Sequence, residues 1–130
     1  MSHIIQSLWI GGNLSNMERL SIKSFLDHGN EYHLYTYEPV NNVPDGAIVK
    51  DANEILNEDE IYRYENGSVS AFSNLFRFTM LFIKGGYWAD TDLICLKPFK
   101  YDRDFVIATE TNNNYQDNII TSCFLKMPIK

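Results

Sequence analysis

What most constrains this chain is the order of its periodic segments. Residues 3–10 carry Ile4, Ile5, Leu8 and Ile10 in loose alternation with polar residues, and Gly11-Gly12 ends the run. That reads as a strand. Ser15 and Glu18 then stand at capping-box spacing, and Leu20, Ile22, Phe25 and Leu26 follow at helical spacing up to Gly29. Residues 32–37 are rich in β-formers, and Pro39 closes them. A helix between two strands is the crossover that parallel pairing requires, so the opening predicts a βαβ unit. Further along, 47–50 is a short strand, and Asp51 with Glu54 repeats the capping spacing for a short helix. Residues 57–68 are polar and read as a loop. The longest helix runs from Ser70 to Lys84, stopped by Gly85-Gly86, and the pattern predicts it to be buried nearly all round. Strands are expected at 87–89, 93–96, 105–109 and 119–126. Helices alternating with strands make the chain α/β, with a mostly parallel sheet flanked by helices.

Size and charge narrow the class. At 130 residues the chain is long enough for one domain, taken as 1–130, and too short for two ordinary ones. Apolar residues at 45% and charged residues at 22% exclude disorder, collagen and coiled coil. No run approaches the ~20 apolar residues of a membrane span, since Arg77 interrupts the richest one, Leu75 to Ile83. The opening residues lack the basic and apolar regions of a signal peptide. Cys95 and Cys123 make no disulfide framework, so a reducing cytoplasm is the expected compartment. A net charge of -6 argues against nucleic acid as a partner. An anionic small ligand remains compatible with it if a cation offsets the charge.

The strongest chemical signal is Tyr87-Trp88-Ala89-Asp90-Thr91-Asp92. Two carboxylates two residues apart at a strand end project from one face if the strand continues. Close like charges call for a cation, and hard oxygens suit a divalent metal that keeps positions open for a diphosphate. The plain alternative is a solvated turn with two acids. The second signal lies on the long helix, where Ser70, Ser73, Asn74 and Arg77 form one polar stripe at i, i+3, i+4 and i+7. An Arg in apolar surroundings wants a carboxylate or a phosphate; the structural alternative is a brace to Asp90 or Asp92. The third is Trp9-Ile10-Gly11-Gly12, at the end of the first strand, where α/β sheets bind ligands. Trp9 could stack on a nucleobase there, or be an ordinary core residue.

Other residues carry little. His3, His28 and His33 show no ligand spacing, and Glu38 and Glu110 are solvated acids unless a cleft holds them. Cys95 reads as a small core residue. Tyr115, Gln116 and Asp117 fall in a polar loop that could border a cleft.

Taken in order, W-I-G-G, A-F-S-N-L-F-R and K-G-G-Y-W-A-D-T-D-L-I-C-L-K-P resemble the DXD-containing glycosyltransferases of the sugar-binding-region type. These include family-32 enzymes, bacterial capsular and outer-core transferases and, more remotely, the large clostridial glucosylating toxins. The segments H-L-Y-T-Y-E-P-V and V-P-D-G-A-I-V-K-D-A-N-E-I also resemble bacterial members. The resemblance implies a GT-A fold, a Rossmann-like sandwich that binds a UDP- or GDP-sugar and transfers the sugar to a glycan or lipid-linked acceptor in surface polysaccharide synthesis, with retention. Carried over, Trp9 would stack on the uracil or guanine, with Ile10 and Gly11 beside it. Asp90 would contact ribose and sugar hydroxyls, with Thr91 at the donor. Asp92, with Asp90, would reach a Mn²⁺ or Mg²⁺. Arg77 would line the sugar or diphosphate. Ser73 and Asn74 match a pair that is Ser-Asp in many relatives; the neutral amide means that donor choice cannot be copied from the toxins.

Two rivals fit poorly. An aspartate-nucleophile phosphatase wants Thr or Val where Ile94 stands, and a calcium loop wants acids after Asp92. The serious alternative is a nucleotide-sugar-binding half-domain without catalysis of its own. Relatives run to about twice this length, so a second chain, a missing C-terminal portion or an oligomer would complete the site. Docking at the inner membrane face has no amphipathic basic helix to support it.

Overall fold

The structure is a computed structural model that describes residues 3–111 and 118–129. In chain order it has β1 (Ile4–Trp9), α1 (Asn16–Asp27), β2 (Glu31–Thr36), β3 (Ile48–Asp51), α2 (Ser70–Lys84), β4 (Gly86–Ala89), β5 (Val106–Thr111) and β6 (Asn118–Met127). The six strands form one sheet in the order β3-β2-β1-β4-β6-β5. The first four in that order run parallel, as the βαβ opening predicts. β6 is antiparallel to β4, and β5 to β6. The sheet is therefore mixed.

Alternation along the strands sorts the core into two layers. Leu8, Tyr35, Trp88 and Leu125 face α2, where Phe72, Phe76, Met80 and Leu81 cover them. Ile5, Leu34, Tyr87 and Ala89 face the opposite side, against Ile22 and Phe25 of α1. The expectation that α2 is buried nearly all round is corrected. Its sheet-facing residues are buried, yet Leu75 is 44% and Phe78 51% exposed. One sheet covers only one face of a helix.

Three local readings are revised. Residues 93–96 are not a strand, because β6 occupies the edge of β4 that they would need. Instead Cys95 is buried, and its N–H donates to Ser24 Oγ of α1 at 2.9 Å. Ser15 does not cap α1 through the backbone; its hydroxyl donates to the Glu18 carboxylate. A full capping box forms at Asn57 and Glu60, opening a 3-10 turn within the stretch read as loop. The helix expected after Asp51 is likewise a single 3-10 turn, Ala52–Glu54, with Asp51 accepting from the Asn53 N–H.

Buried tyrosines make stability depend on alkaline pH. Burial raises the Tyr32 phenol, whose hydroxyl meets Ser7 Oγ at 2.6 Å, and also raises Tyr35 and Tyr87. Burial and the carboxylates of Glu60, Glu58 and Asp51 push Tyr37 up to about 12. A group whose folded pKa is raised holds its proton longer in the folded chain, so its stabilising contribution is complete below the unfolded pKa of about 10 and is lost as pH rises through the folded value. The denaturation midpoint is expected to fall steadily from about pH 10 to pH 12, in step with phenolate absorbance. A flat midpoint across that range would contradict this packing.

Candidate functional site

Strand order decides where a ligand can sit. From β1 the chain builds outward to β2 and β3 on one side, and β4 joins on the other. The gap beyond the carboxyl ends of β1 and β4 is thus a switch point, the place where open α/β sheets form ligand crevices. A cleft of about 570 Å³ opens there, within the size range of small-molecule sites. β1 and the residue after it contribute Leu8, Trp9 and Ile10, and the start of α1 contributes Met17 and Glu18. The first two turns of α2 supply Ser70, Ser73, Asn74 and Arg77. Trp88, Asp90, Thr91 and Asp92 come from β4 and the turn after it, and Thr121, Ser122 and Cys123 from β6.

Asn74 and Arg77 of the α2 stripe form one network with the first acid, while Ser70 Oγ meets Ser68 Oγ instead. Arg77 is 6% exposed. Its Nη2 donates to Asp90 Oδ1 at 2.8 Å, and its Nη1 donates to Asn74 Oδ1 at 2.9 Å and to Ser122 Oγ at 2.5 Å. The guanidinium lies over the Trp88 ring, 5.2 Å from its centroid. Trp88 Nε1 also donates to Asp90 Oδ1, at 2.8 Å. Two donors share Oδ1, and the other oxygen of Asp90 has no hydrogen-bond partner among the described residues, so it is an available acceptor. The backbone N–H of Asp90 donates to Cys123 O at 2.8 Å, tying the turn to β6. Of the two partners that the sequence allows for Arg77, the structure selects Asp90.

Asp92 is different. The strand stops at Ala89 and the chain turns, with Leu93 N–H reaching back to Asp90 O at 3.3 Å. The regular continuation that would put both acids on one face is therefore absent. Asp92 is exposed and has no hydrogen-bonding or ion-pair partner among the described residues. One carboxylate is fixed and the other is free at the mouth of the same cleft. A second Asp-X-Asp, Asp102-Arg103-Asp104, is exposed and lines no part of it.

Trp9 lines the cleft half-buried, its Nε1 donating to Asn13 O at 3.0 Å. Gly11 stands beyond the lining, where an added Cβ would meet Trp9 Nε1 at 3.3 Å. The histidines serve the fold: His3 meets Phe99 O, His28 meets Ser24 O and His33 meets Glu31. Glu38 borders a separate, shallower cleft with Lys50 and Asp51, and Glu110 is exposed on β5. Tyr115, Gln116 and Asp117 lie outside the described residues. Sequence reasoning missed Ser122 and the indole N–H of Trp88. Trp88 had a usable signal, being two residues before Asp90 and so on the same strand face. Ser122 had none, since its contact with Arg77 spans 45 residues.

A family model described as the glycosyltransferase sugar-binding region containing a DXD motif matches residues 14–118. The chain belongs to that family. The DXD-family match takes in α1, α2 and the Asp90-Thr91-Asp92 turn, while Trp9 and Ser122 fall outside the matched stretch. No curated protein and no solved structure matches the chain at a significant level. The six-stranded sheet flanked by helices is compatible with a glycosyltransferase-like fold. No helix among the described residues is long and apolar enough to cross a membrane.

Proposed function

We propose that this chain binds a UDP- or GDP-sugar in the β1–β4 cleft as a GT-A-type, metal-dependent glycosyltransferase. One observation carries the reading. Asp90 is immobilised by Arg77 and Trp88, while Asp92 stands free beside it in a cleft at the switch point. Among the described residues no group of three or more His, Cys, Asp or Glu could hold a metal alone. Two carboxylates instead suit Mn²⁺ or Mg²⁺, hard cations that keep positions open for waters and phosphate oxygens. Asp92, with Asp90, would hold it. Bound there, such a cation neutralises charge developing on a diphosphate leaving group.

The chain's own residues divide the remaining work. Trp9 offers a ring face at the β1 end of the cleft for the base. Asn74 has its Oδ1 engaged by Arg77, so its amide presents N–H donors, and a sugar hydroxyl facing it must accept. Ser73 adds a hydroxyl of either polarity. Arg77 has committed three N–H bonds within the protein, so its role is to hold Asp90 and lend positive field, more than to grip phosphate. Retention of configuration and a destination in surface polysaccharide at the inner membrane face are proposed on family grounds alone.

A second reading, donor binding without turnover, is favoured by the apolar groove of about 360 Å³ along Phe78, Phe105, Met127 and Pro128. Such an apolar surface fits a reading in which further protein covers it and completes the transferase. A thermal-shift panel tests the common core of both. UDP or GDP with Mn²⁺ is expected to raise the melting temperature by several degrees, and neither component alone should do so. No shift with any metal–nucleotide pair would defeat the donor-site reading. Release of UDP or GDP from a sugar donor then separates enzyme from half-domain.

A further inference from the structure

We infer that Trp88 and Ser122 are positioning residues that fix the orientation of the Asp90 carboxylate in the cleft. The inference rests on the donor-site reading for its ligand and on geometry alone for the clamp. Trp88 is 2% exposed, and its one polar atom is spent on Asp90 Oδ1 at 2.8 Å. The same oxygen receives Arg77 Nη2. Because the indole N–H and the guanidinium arrive at a single oxygen, the carboxylate is held in one orientation, and its other oxygen has no hydrogen-bond partner among the described residues. The ring adds a second constraint, since Arg77 lies across its face. Ser122 closes the arrangement from the far strand. Its Oγ accepts from Arg77 Nη1 at 2.5 Å, so the guanidinium plane is fixed at Asn74, Ser122 and Asp90 together. A carboxylate with a free χ2 would lose that freedom on binding; this one is ordered beforehand.

The chain has two tryptophans, so ¹⁵N-labelled protein gives two indole N–H signals, assigned with Trp9→Phe. In Asp90→Ala the Trp88 signal is expected to move upfield as its carboxylate acceptor is lost, while the Trp9 signal stays. An unmoved Trp88 signal overturns the clamp, whether or not the protein binds any nucleotide. For binding, Trp88→Phe keeps an aromatic ring under Arg77 and removes the N–H together with the pyrrole half of the indole. It is expected to weaken Mn²⁺–UDP or Mn²⁺–GDP, whichever the wild type binds, about tenfold. Ser122→Ala should weaken the same complex severalfold and Ser122→Thr should restore it. That rescue would not follow from a merely structural role and decides the matter if Trp88→Phe does not fold. Wild-type affinity in both Trp88→Phe and Ser122→Ala overturns the positioning role. A wild type that binds neither nucleotide defeats the donor-site reading instead and leaves the indole signal to decide the clamp.

Discussion

Asp92→Ala should abolish the metal-dependent thermal shift by nucleotide while leaving the unliganded melting temperature within about 2 °C of wild type. The asymmetry follows from its position. Asp92 is exposed and unpartnered among the described residues, so its loss removes no packing and orphans no buried group. If it is the metal's principal protein ligand, affinity for metal–nucleotide should drop at least a hundredfold, since even outer partners of metal ligands are worth about 10–100-fold. Asp90→Ala should behave differently. It leaves the Arg77 guanidinium, with 7% of its side chain exposed, facing no anion. Breaking a buried ion pair costs about 3–5 kcal/mol, and the lower end applies because Asp90 itself is 32% exposed. Binding and stability should therefore fall together in Asp90→Ala and separate in Asp92→Ala. An Asp92→Ala protein that still responds to metal and nucleotide would remove this residue from the site.

Gly85→Ala should be the most damaging substitution outside the cleft, lowering stability by about 3 kcal/mol or more and the melting temperature by on the order of 10 °C. Gly85 joins α2 to β4 at φ 66 and ψ -160, a conformation that only glycine adopts without strain. An added Cβ would stand 2.1 Å from Pro128 O and 2.7 Å from Ile129 Cα. Both are backbone atoms just after β6, so relief requires moving the chain that leaves the sheet. Gly29→Ala is the control. Its φ of 84 is also positive, but nothing lies within 4 Å of the added Cβ, so only the conformational cost of about 1 kcal/mol is expected. Equal loss in the two variants, read by thermal or urea denaturation, would show that the Pro128 contact is not limiting.

The parts legible in the sequence were those written locally. Apolar spacing marked β1, α1, β2 and α2, and the Gly85-Gly86 stop placed α2 immediately before β4. The acidic turn and the polar stripe were visible as patterns, and Arg77 to Asp90 spans only 13 residues. What stayed hidden depends on partners far along the chain. Leu93, Ile94 and Cys95 have strand-like composition, yet the edge beside β4 goes to β6, and no local pattern says which segment wins it. The apolar sequence of α2 was likewise silent about how many layers would cover it, so Leu75 and Phe78 are exposed. Asn57 and Glu60 carried a capping signal that the polarity of their surroundings masked.

The insertion of β6 between β4 and β5 also has a consequence in time. The parallel part of the sheet, β3-β2-β1-β4, is complete by Ala89 and draws on neighbouring crossovers. Both acids are then one to three residues away, but their setting is not yet made. Cys123 O, which receives the Asp90 N–H, and Ser122, which receives Arg77, arrive only when the last strand docks. Pairings of such sequence separation form late, because the intervening loop must close before they return any energy. The cleft is thus built in the order in which the chain emerges, with a sheet first and a competent site last. A partly folded chain would hold the α2 helix and both carboxylates without their final geometry, and so without a fixed place for a charged ligand.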